Sequence, residues 1–465
     1  MASQSSRIFS SVRLFLACLL AFGVSAAGKR TVILSQDRAR DQRDDVLLAS
    51  PEETCTLGLS IAFPPMGQSE SLFAVPQNDK VGLIDKTGKM VTPPQYSYIY
   101  DFYEGLAAVR VFSKFGFLDE TGKMAIPAQY SAVQSFCEGL AGVELGKKWG
   151  YIDKTGRVVI EPAYDWVANF RDGLAAVRVR KKLGYIDKTG KMMIPLEGRD
   201  PFPFSFSEGL APVRIHGQWG AMNKAGQIVI PAQYPNQLHF SEGLAPVMVD
   251  GKAGYLDKNG QMAIPLQYRN ASDFSDGLAF VNLDGKFGLI DHTGRMIVPP
   301  TFERVQRFRD GLAAVEVEGK WGFIDKAGQI VVPAQFDEED CSGMGRGSTS
   351  DGLRFSEGLA AVILKCKWGF VDKTGQSAIS PQFERAAAFS GGRAAVMLGG
   401  KWGFIDASGQ LVIQPQFTSV SRFSGGLARV RIGDKWGFVD AAGKFVWGPE
   451  KIPRCIACYF LPPLA

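Results

Sequence analysis

The sequence predicts an all-β fold: eleven three-stranded antiparallel repeats of about 34 residues, stacked as an open solenoid or superhelix, with a closed β-propeller as the alternative form. Three observations carry this prediction. One nine-residue phrase, KWGFIDKTG or a close relative, returns eleven times, with its glycine at Gly82, Gly116, Gly150, Gly184, Gly220, Gly254, Gly288, Gly322, Gly369, Gly403 and Gly437. Eight of the ten intervals are 34 residues and the others are 36 and 47, a period that marks units burying their apolar faces against one another. Within each period the apolar residues form short runs, and no 3.6-residue periodicity extends over a useful length. A hydrophobic content of 46% makes the array folded rather than a solvated linker. Eleven units are awkward for one ring, which favours the open form.

Residues 1–26 read as a secretory signal peptide. Arg7 and Arg13 give a basic start, Leu14 to Ala21 an apolar run too short to span a bilayer comfortably, and Val24-Ser25-Ala26 a small-residue cleavage site. Cys18 lies in that segment, but Phe15-Leu16-Ala17 ahead of it fits a lipidation site poorly. Residues 27–66 form a lead-in. No second apolar stretch of spanning length follows, so stable membrane insertion is not expected after cleavage. Cleavage removes two Arg and no acid, leaving 50 basic against 47 acidic side chains. That balance argues against a nucleic-acid partner.

The repeats occupy 67–448. Arg309 to Phe336, RDGLAAVEVEGKWGFIDKAGQIVVPAQF, represents them. A first run, Leu312 to Glu318, enters through Asp310-Gly311, and Gly319-Lys320 gives a tight hairpin. The second run, Trp321 to Asp325, alternates: Trp321, Phe323 and Asp325 face one way, Gly322 and Ile324 the other. Asp325-Lys326-Ala327-Gly328 reads as a turn, its Asp accepting backbone N–H groups and its Gly supplying a left-handed residue. The third run, Gln329 to Val332, ends at Pro333, which cannot donate to a ladder and so belongs at a strand end or sheet edge. An aromatic residue follows, here Phe336. Such a meander is marginal alone and depends on its neighbours, and the paired alanines of Leu-Ala-Ala-Val allow close approach between layers.

On the KWGFIDKTG phrase and its V-I-P-x-Q-Y ending, the chain resembles the WG-repeat (KWG-repeat) family over about four-fifths of its length. The clearest copies carry Trp149-Gly150, Trp321-Gly322, Trp368-Gly369, Trp402-Gly403 and Trp436-Gly437. The resemblance implies a β-rich repeat protein with a role in protein–protein contact and supplies no catalytic residues. Several copies depart from the pattern. Val81 replaces Trp in the first, as in a capping repeat, and the fifth reads Trp219-Gly220-Ala221-Met222-Asn223. Two extra residues precede that copy in Pro201-Phe202-Pro203-Phe204-Ser205-Phe206, and a 13-residue insertion lies within 337–352.

Candidate chemistry is sparse. The Trp position is Val81, Phe115, Leu183, Ala253 or Phe287 in other copies, which suits packing better than sugar stacking; Trp321, Trp368, Trp402 and Trp436 keep a glycan reading open. A single Asp followed by Lys-Thr-Gly is a turn and not a calcium cage. His216, His239 and His292 occupy non-equivalent positions without ligand or triad spacing and read as incidental. Six cysteines follow the signal segment. Cys341 and Cys366 are the first candidate disulfide, and Cys455 and Cys458, in the tail 449–465, form a C-x-x-C that lacks a strand-then-helix setting. Insertions in repeat arrays often form binding loops, so Phe202, Phe204, Phe206, Asp337, Glu338, Glu339 and Asp340 are the candidate contact residues. The expectation is a secreted or periplasmic, non-enzymatic scaffold for a protein partner, without cofactor or metal; the alternative is a surface or extracellular glycan binder.

Overall fold

The structure, a computed structural model, describes residues 72–77, 79–180, 182–196, 205–337 and 353–451. Among them every regular element is a strand, and the strands form eleven antiparallel sheets, one per repeat. All eleven belong to one compact unit, Leu48–Ala465; the signal segment and the tail cysteines lie outside the described residues.

Repeat 8 illustrates a sheet, with strands Leu312–Val317, Lys320–Asp325 and Ile330–Phe336. The alternation expected for its second strand holds. Leu312, Ala314, Trp321, Phe323, Val332 and Phe336 pack forward against Phe355, Ala360, Val362 and Val371 of repeat 9. Ala313, Val315 and Ile324 pack backward against Phe280, Leu289, Phe302 and Phe308 of repeat 7. Both faces of each sheet are therefore buried between neighbours, which is why the second strand is apolar at consecutive positions.

The third strand differs from expectation. It does not stop at Pro333 but continues to Phe336, crossing a register shift between Phe323↔Val332 and Trp321↔Phe336. The strand lies at the sheet edge, where the missing proline N–H leaves no ladder bond unmade. Its bulge passes directly over the glycine of the Trp-Gly pair. A Cβ at Gly322 would stand 2.5 Å from the Val332 carbonyl oxygen, so this glycine is required for close backbone approach.

Seven sheets also gain a fourth strand from the linker that follows the third-strand aromatic. It is usually two residues long, as in Ala132–Val133 against the first strand of repeat 3, and six residues long, Tyr98–Tyr103, in repeat 2. The linker then delivers a phenylalanine against the second-strand aromatic of the preceding sheet. Phe136 meets Phe117 at 4.9 Å, Phe170 meets Tyr151 at 4.8 Å and Phe423 meets Phe404 at 4.9 Å between ring centroids. In repeat 5, where Ala221 replaces the aromatic, Leu238 is buried with Phe240 in the same cluster.

The open form is not what the chain adopts. Val75 and Ile84 of repeat 1 are buried against Leu427 and Phe438 of repeat 11, with Phe73, Val446 and Trp447 around them. The turn glycine of one repeat sits over the third strand of the repeat before it, as Gly156 does on Ile126 and Gly260 on Ile230. Gly88 of repeat 1 makes the same approach to Val446 of repeat 11. The array thus closes into an eleven-bladed β-propeller. The first repeat is not a cap: Val81 is buried, and its backward face is as apolar as any other.

Candidate functional site

The best-defined polar structure is a chain of carboxylates joining blade to blade at the end of the sheets where each first strand begins. In the ten blades where its entry is described, the first strand follows a two-residue turn such as Glu138-Gly139, closed by the Cys137↔Leu140 bridge. Both central residues have positive φ, 52° and 86° in this case, which is the geometry of a type I′ turn. Glycine is the natural residue at both places, yet eight blades carry Glu or Asp at the first: Glu104, Glu138, Asp172, Glu208, Glu242, Asp276, Asp310 and Glu357. The carboxylate bridges the seam to the next blade. Glu104 accepts from Gly139 N, Glu138 from Gly173 N, Asp172 from Gly209 N and Glu242 from Gly277 N, at 2.8–3.1 Å.

At two seams the grip is bidentate. Glu208 accepts from Glu242 N at 2.8 Å and Gly243 N at 3.0 Å, and Glu357 accepts from Gly391 N at 2.7 Å and Gly392 N at 3.0 Å. A basic side chain from the second turn of the next blade completes the arrangement: Lys154 with Glu104, Lys188 with Glu138, Lys258 with Glu208, His292 with Glu242 and Lys326 with Asp276, at 3.0–3.1 Å. Burial pushes the Glu208 carboxyl up, but Lys258 and the two amides outweigh it and hold the group below its usual range.

The opposite ends of the first strands carry a second set. The residue after the third-strand aromatic accepts from the hairpin turn of the following blade and pairs with the lysine that opens the second strand of the blade it leaves. Asp165 takes Arg180 N at 2.7 Å and Lys148 at 2.5 Å; Glu303 takes Gly319 N and Lys286, both at 3.0 Å. Asp337 belongs here, accepting from Lys365 N at 2.8 Å and pairing with Lys320, which lowers its carboxyl pKa.

The candidate contact residues are thus dispersed. Asp337 staples blades 8 and 9. Phe206 is 1% exposed and meets Tyr185 at 5.2 Å, filling the linker-phenylalanine place in the core. Phe202, Phe204, Glu338, Glu339, Asp340, Cys341, Cys455 and Cys458 lie outside the described residues. Cys366 occupies the hairpin turn of blade 9 with φ of 63°.

The recurring turn Asp behaves as expected. In Asp153-Lys154-Thr155-Gly156 its Oδ1 accepts from Thr155 N at 3.0 Å, Thr155 Oγ1 at 2.6 Å and Arg157 N at 3.1 Å. These bonds, with the Thr155 hydroxyl first, lower its pKa to about 2. The tryptophans pack: Trp321, Trp368 and Trp436 are buried. Arg304 lies over the Trp321 ring at 5.3 Å, and Arg429 and Arg431 over Trp436 at 5.2 and 5.5 Å, covering faces that a sugar ladder would need. Two of the histidines bridge one seam. His292 holds the lysine place opposite Glu242, and His239 of blade 6 lies 3.5 Å from Asp273 of blade 7.

The sequence did hold a signal for the carboxylate chains. Most first-set acids are followed by their cation fifty residues later, and second-set lysines by their acid seventeen later. Read alone, each acid is only a turn residue; the constant offsets become interpretable once successive repeats are known to be adjacent.

Comparison with known proteins agrees with the repeat. The WG containing repeat matches residues 82–111, 115–149, 149–182, 219–252, 254–287, 287–321, 321–338, 368–402 and 402–436. A comparison with curated proteins finds no match. Among solved structures, a eukaryotic initiation factor is 12% identical with a TM-score of 0.38, covering 81% of this chain and 94% of its own. PorZ, a surface component of the type-IX secretion system of Porphyromonas gingivalis, is also 12% identical, with a TM-score of 0.23 over 82% of this chain and 59% of its own. Hsv2 from Kluyveromyces lactis is 9% identical, with a TM-score of 0.28 over 54% of this chain and 91% of its own. Those scores are too low to carry an argument. The repeat, by contrast, is matched over more than half of the sequence and in register with the blades, and the chain belongs to the WG containing repeat family.

Proposed function

We propose that this protein is an exported, non-enzymatic scaffold that binds a protein partner on the propeller face where the Asp-Lys-Thr-Gly turns emerge. One observation carries the reading. The first or nearly first residue of the third strand, beside that turn, is apolar and open to solvent in seven blades: Met90 39%, Met124 39%, Val158 38%, Met192 44%, Ile228 47%, Met262 40% and Ile330 61%. Apolar side chains left partly open to solvent at one repeated position make a band of apolar surface, which suits a contact surface. Methionine, four of the seven, adapts its shape to a partner. Export is supported by the 1–26 segment and by the cysteine count, and a Cys341–Cys366 bridge would tie the insertion to blade 9.

Photo-crosslinking residues placed singly at Met124, Ile228 and Ile330 test the reading in the envelope and extracellular fraction of the source. Phe112 and Ile215, exposed at the opposite ends of the strands, serve as controls. One protein adduct formed from the first three sites and not from the controls supports the scaffold. Adducts formed equally from both sets would remove the assignment of the face. Retention on polysaccharide with no protein adduct would replace the scaffold by the glycan alternative.

A further inference from the structure

Among the described turns the acid is replaced by glycine at two, Gly391 of blade 10 and Gly425 of blade 11, and the seam that Gly391 faces has the form of a binding site. At the seam between blades 5 and 6 three groups meet: two successive turn amides, the Glu208 carboxylate across them, and the Lys258 ammonium. Successive N–H groups in a tight turn form an anion-binding concavity, and here the anion is supplied by the chain itself. At the seam between blades 10 and 11 the turn amides belong to Gly425 and Gly426, with φ of 55° and 87°, matching 53° and 84° at Glu242 and Gly243. The position that should send a carboxylate across is Gly391, and the lysine position is Ala441. No described acceptor reaches the N–H of Gly425 or Gly426.

A cation is nevertheless present at this seam. Arg393 stands where every other blade has leucine at the start of its first strand, and its Nε donates to the Ala441 carbonyl at 3.2 Å, across the seam. A second guanidinium nitrogen donates to Gly392 O at 2.9 Å. The blade 10–11 seam therefore combines a two-amide turn and a guanidinium in a seam whose own carboxylate has been replaced by glycine.

We infer that the Gly425-Gly426 turn and Arg393 form a socket for a carboxylate of another protein, a glutamate or aspartate side chain in an acidic segment. The protein itself displays the intended ligand, because Glu208 and Glu357 occupy the equivalent turns in bidentate fashion. The socket lies at the same ends of the strands as the exposed methionines, so it deepens the scaffold reading, on which it rests only for the claim that the carboxylate belongs to a protein.

The test uses the full mature chain, residues 27–465, and an acetylated, amidated hexaglutamate peptide, with hexaglutamine and N-acetylglutamate as further arms. Binding of hexaglutamate, with shifts of the Gly425 and Gly426 amide resonances and none from hexaglutamine, is expected. Arg393→Gln should weaken it roughly tenfold through loss of a charge-assisted hydrogen bond. Gly391→Glu should weaken it about tenfold or more, because an intramolecular carboxylate then competes at high effective concentration. Glutamate takes a similar φ in five other blades, and an added Cβ at Gly391 meets only Phe423, its nearest atom the Cβ at 3.1 Å. Should Gly391→Glu fail to fold, Arg393→Gln decides alone. Hexaglutamate binding that neither substitution alters, or Gly425 and Gly426 amides that do not respond at millimolar peptide, would overturn the socket. Binding of N-acetylglutamate as tight as that of the peptide would overturn the protein segment and leave a small-molecule carboxylate. Crosslinking from Met124 and Ile228 is independent of all these outcomes, so failure of the socket and failure of the scaffold are distinguishable.

Discussion

The Phe73 ring rests against Phe438, with centroids 5.6 Å apart and planes tilted by 58°, although one residue belongs to the first blade and the other to the last. Leucine is followed by alanine at this place in most blades, and the stacking partner of the second-strand aromatic is normally the linker phenylalanine. At the closing seam the bulk is supplied from the first strand instead. Phe438→Ala should therefore loosen closure and cost about 3 kcal/mol, the range for truncating a buried phenylalanine. Equilibrium urea unfolding gives the cost and small-angle scattering the closure. An unchanged midpoint would mean that the ring is held shut elsewhere.

The glycine after the tryptophan has a different task from the glycine of the hairpin. A Cβ at Gly322 collides with the Val332 carbonyl oxygen, whereas at Gly319, with φ of 72°, it meets nothing within 4 Å. Gly322→Ala is expected to cost about 2 kcal/mol or more through forced displacement of the third strand. Gly319→Ala should cost about 1 kcal/mol, from left-handed strain alone. Denaturation midpoints of the two variants compare them directly, and equal losses would contradict the close-approach argument.

Acid should attack the turns before the cores. The bonds from Thr155 and Arg157 hold Asp153 at about 2, and Thr293 and Arg295 do the same for Asp291. A carboxyl whose pKa is depressed on folding stabilises the folded state above its ordinary value near 3.8, and that contribution is lost as pH falls toward 2. Melting temperature should accordingly fall steeply between about pH 4 and pH 2. Asp153→Asn combined with Asp291→Asn should flatten the slope, because Asn223 already makes the equivalent bonds to Ala225 N and Gln227 N without charge. A slope that the double substitution leaves unchanged would locate the acid sensitivity elsewhere.

The seam between blades 6 and 7 should respond to pH in the opposite sense. The hydrogen bond to Asp273 raises the pKa of His239, outweighing burial, with Arg307 opposing and Glu208 assisting. Asp273 also lies 3.6 Å from Arg307, so the bridge spans three blades. A histidine whose pKa rises on folding contributes fully below its ordinary value near 6.5, and the contribution disappears as pH climbs through the folded value. Stability should decline from about pH 6 to pH 8, and His239→Gln should remove that part of the decline. An NMR titration of the His239 ring locates the transition; a midpoint below the ordinary histidine value would refute the bridge.

The repeat itself was readable because each part has a local cause. Asp325 to Gly328 fold as a turn through their own side chain and backbone, and the facing of Trp321 against Ile324 follows from strand alternation. Closure was not readable in the same way. It depends on a small rotation between adjacent blades summed eleven times, and no residue in one repeat encodes that sum. The two clues, Phe73 at an alanine place and the fully apolar backward face of Val75 and Ile84, acquire meaning only beside Phe438. Pro333 misled for a related reason: a proline ends a central strand, but the third strand is an edge, and the bulge over Gly322 carries it on to Phe336. Phe206 looked like part of a surface cluster because its partner, Tyr185, lies in the preceding blade.

The insertion between blades 8 and 9 leaves and rejoins the same sheet. Asp337, its last described residue on one side, pairs with Ile363 and accepts from Lys365 N; Leu353, on the other, donates to Ala361 O. Cys366 follows Lys365 in the hairpin, at a left-handed position where glycine is the usual residue, and Cys341 is four residues beyond Asp337. Four residues reach about 13 Å when extended, enough to bring the two cysteines within bonding range. The expected result is a Cys341–Cys366 linked peptide in an unreduced digest of the protein. Loss of the bridge in Cys341→Ser should cost about 3 kcal/mol, the stabilisation from closing a loop of this size. It should also speed proteolysis within 338–352 while leaving cleavage elsewhere unchanged. Ready alkylation of both thiols without reductant would sink the pairing.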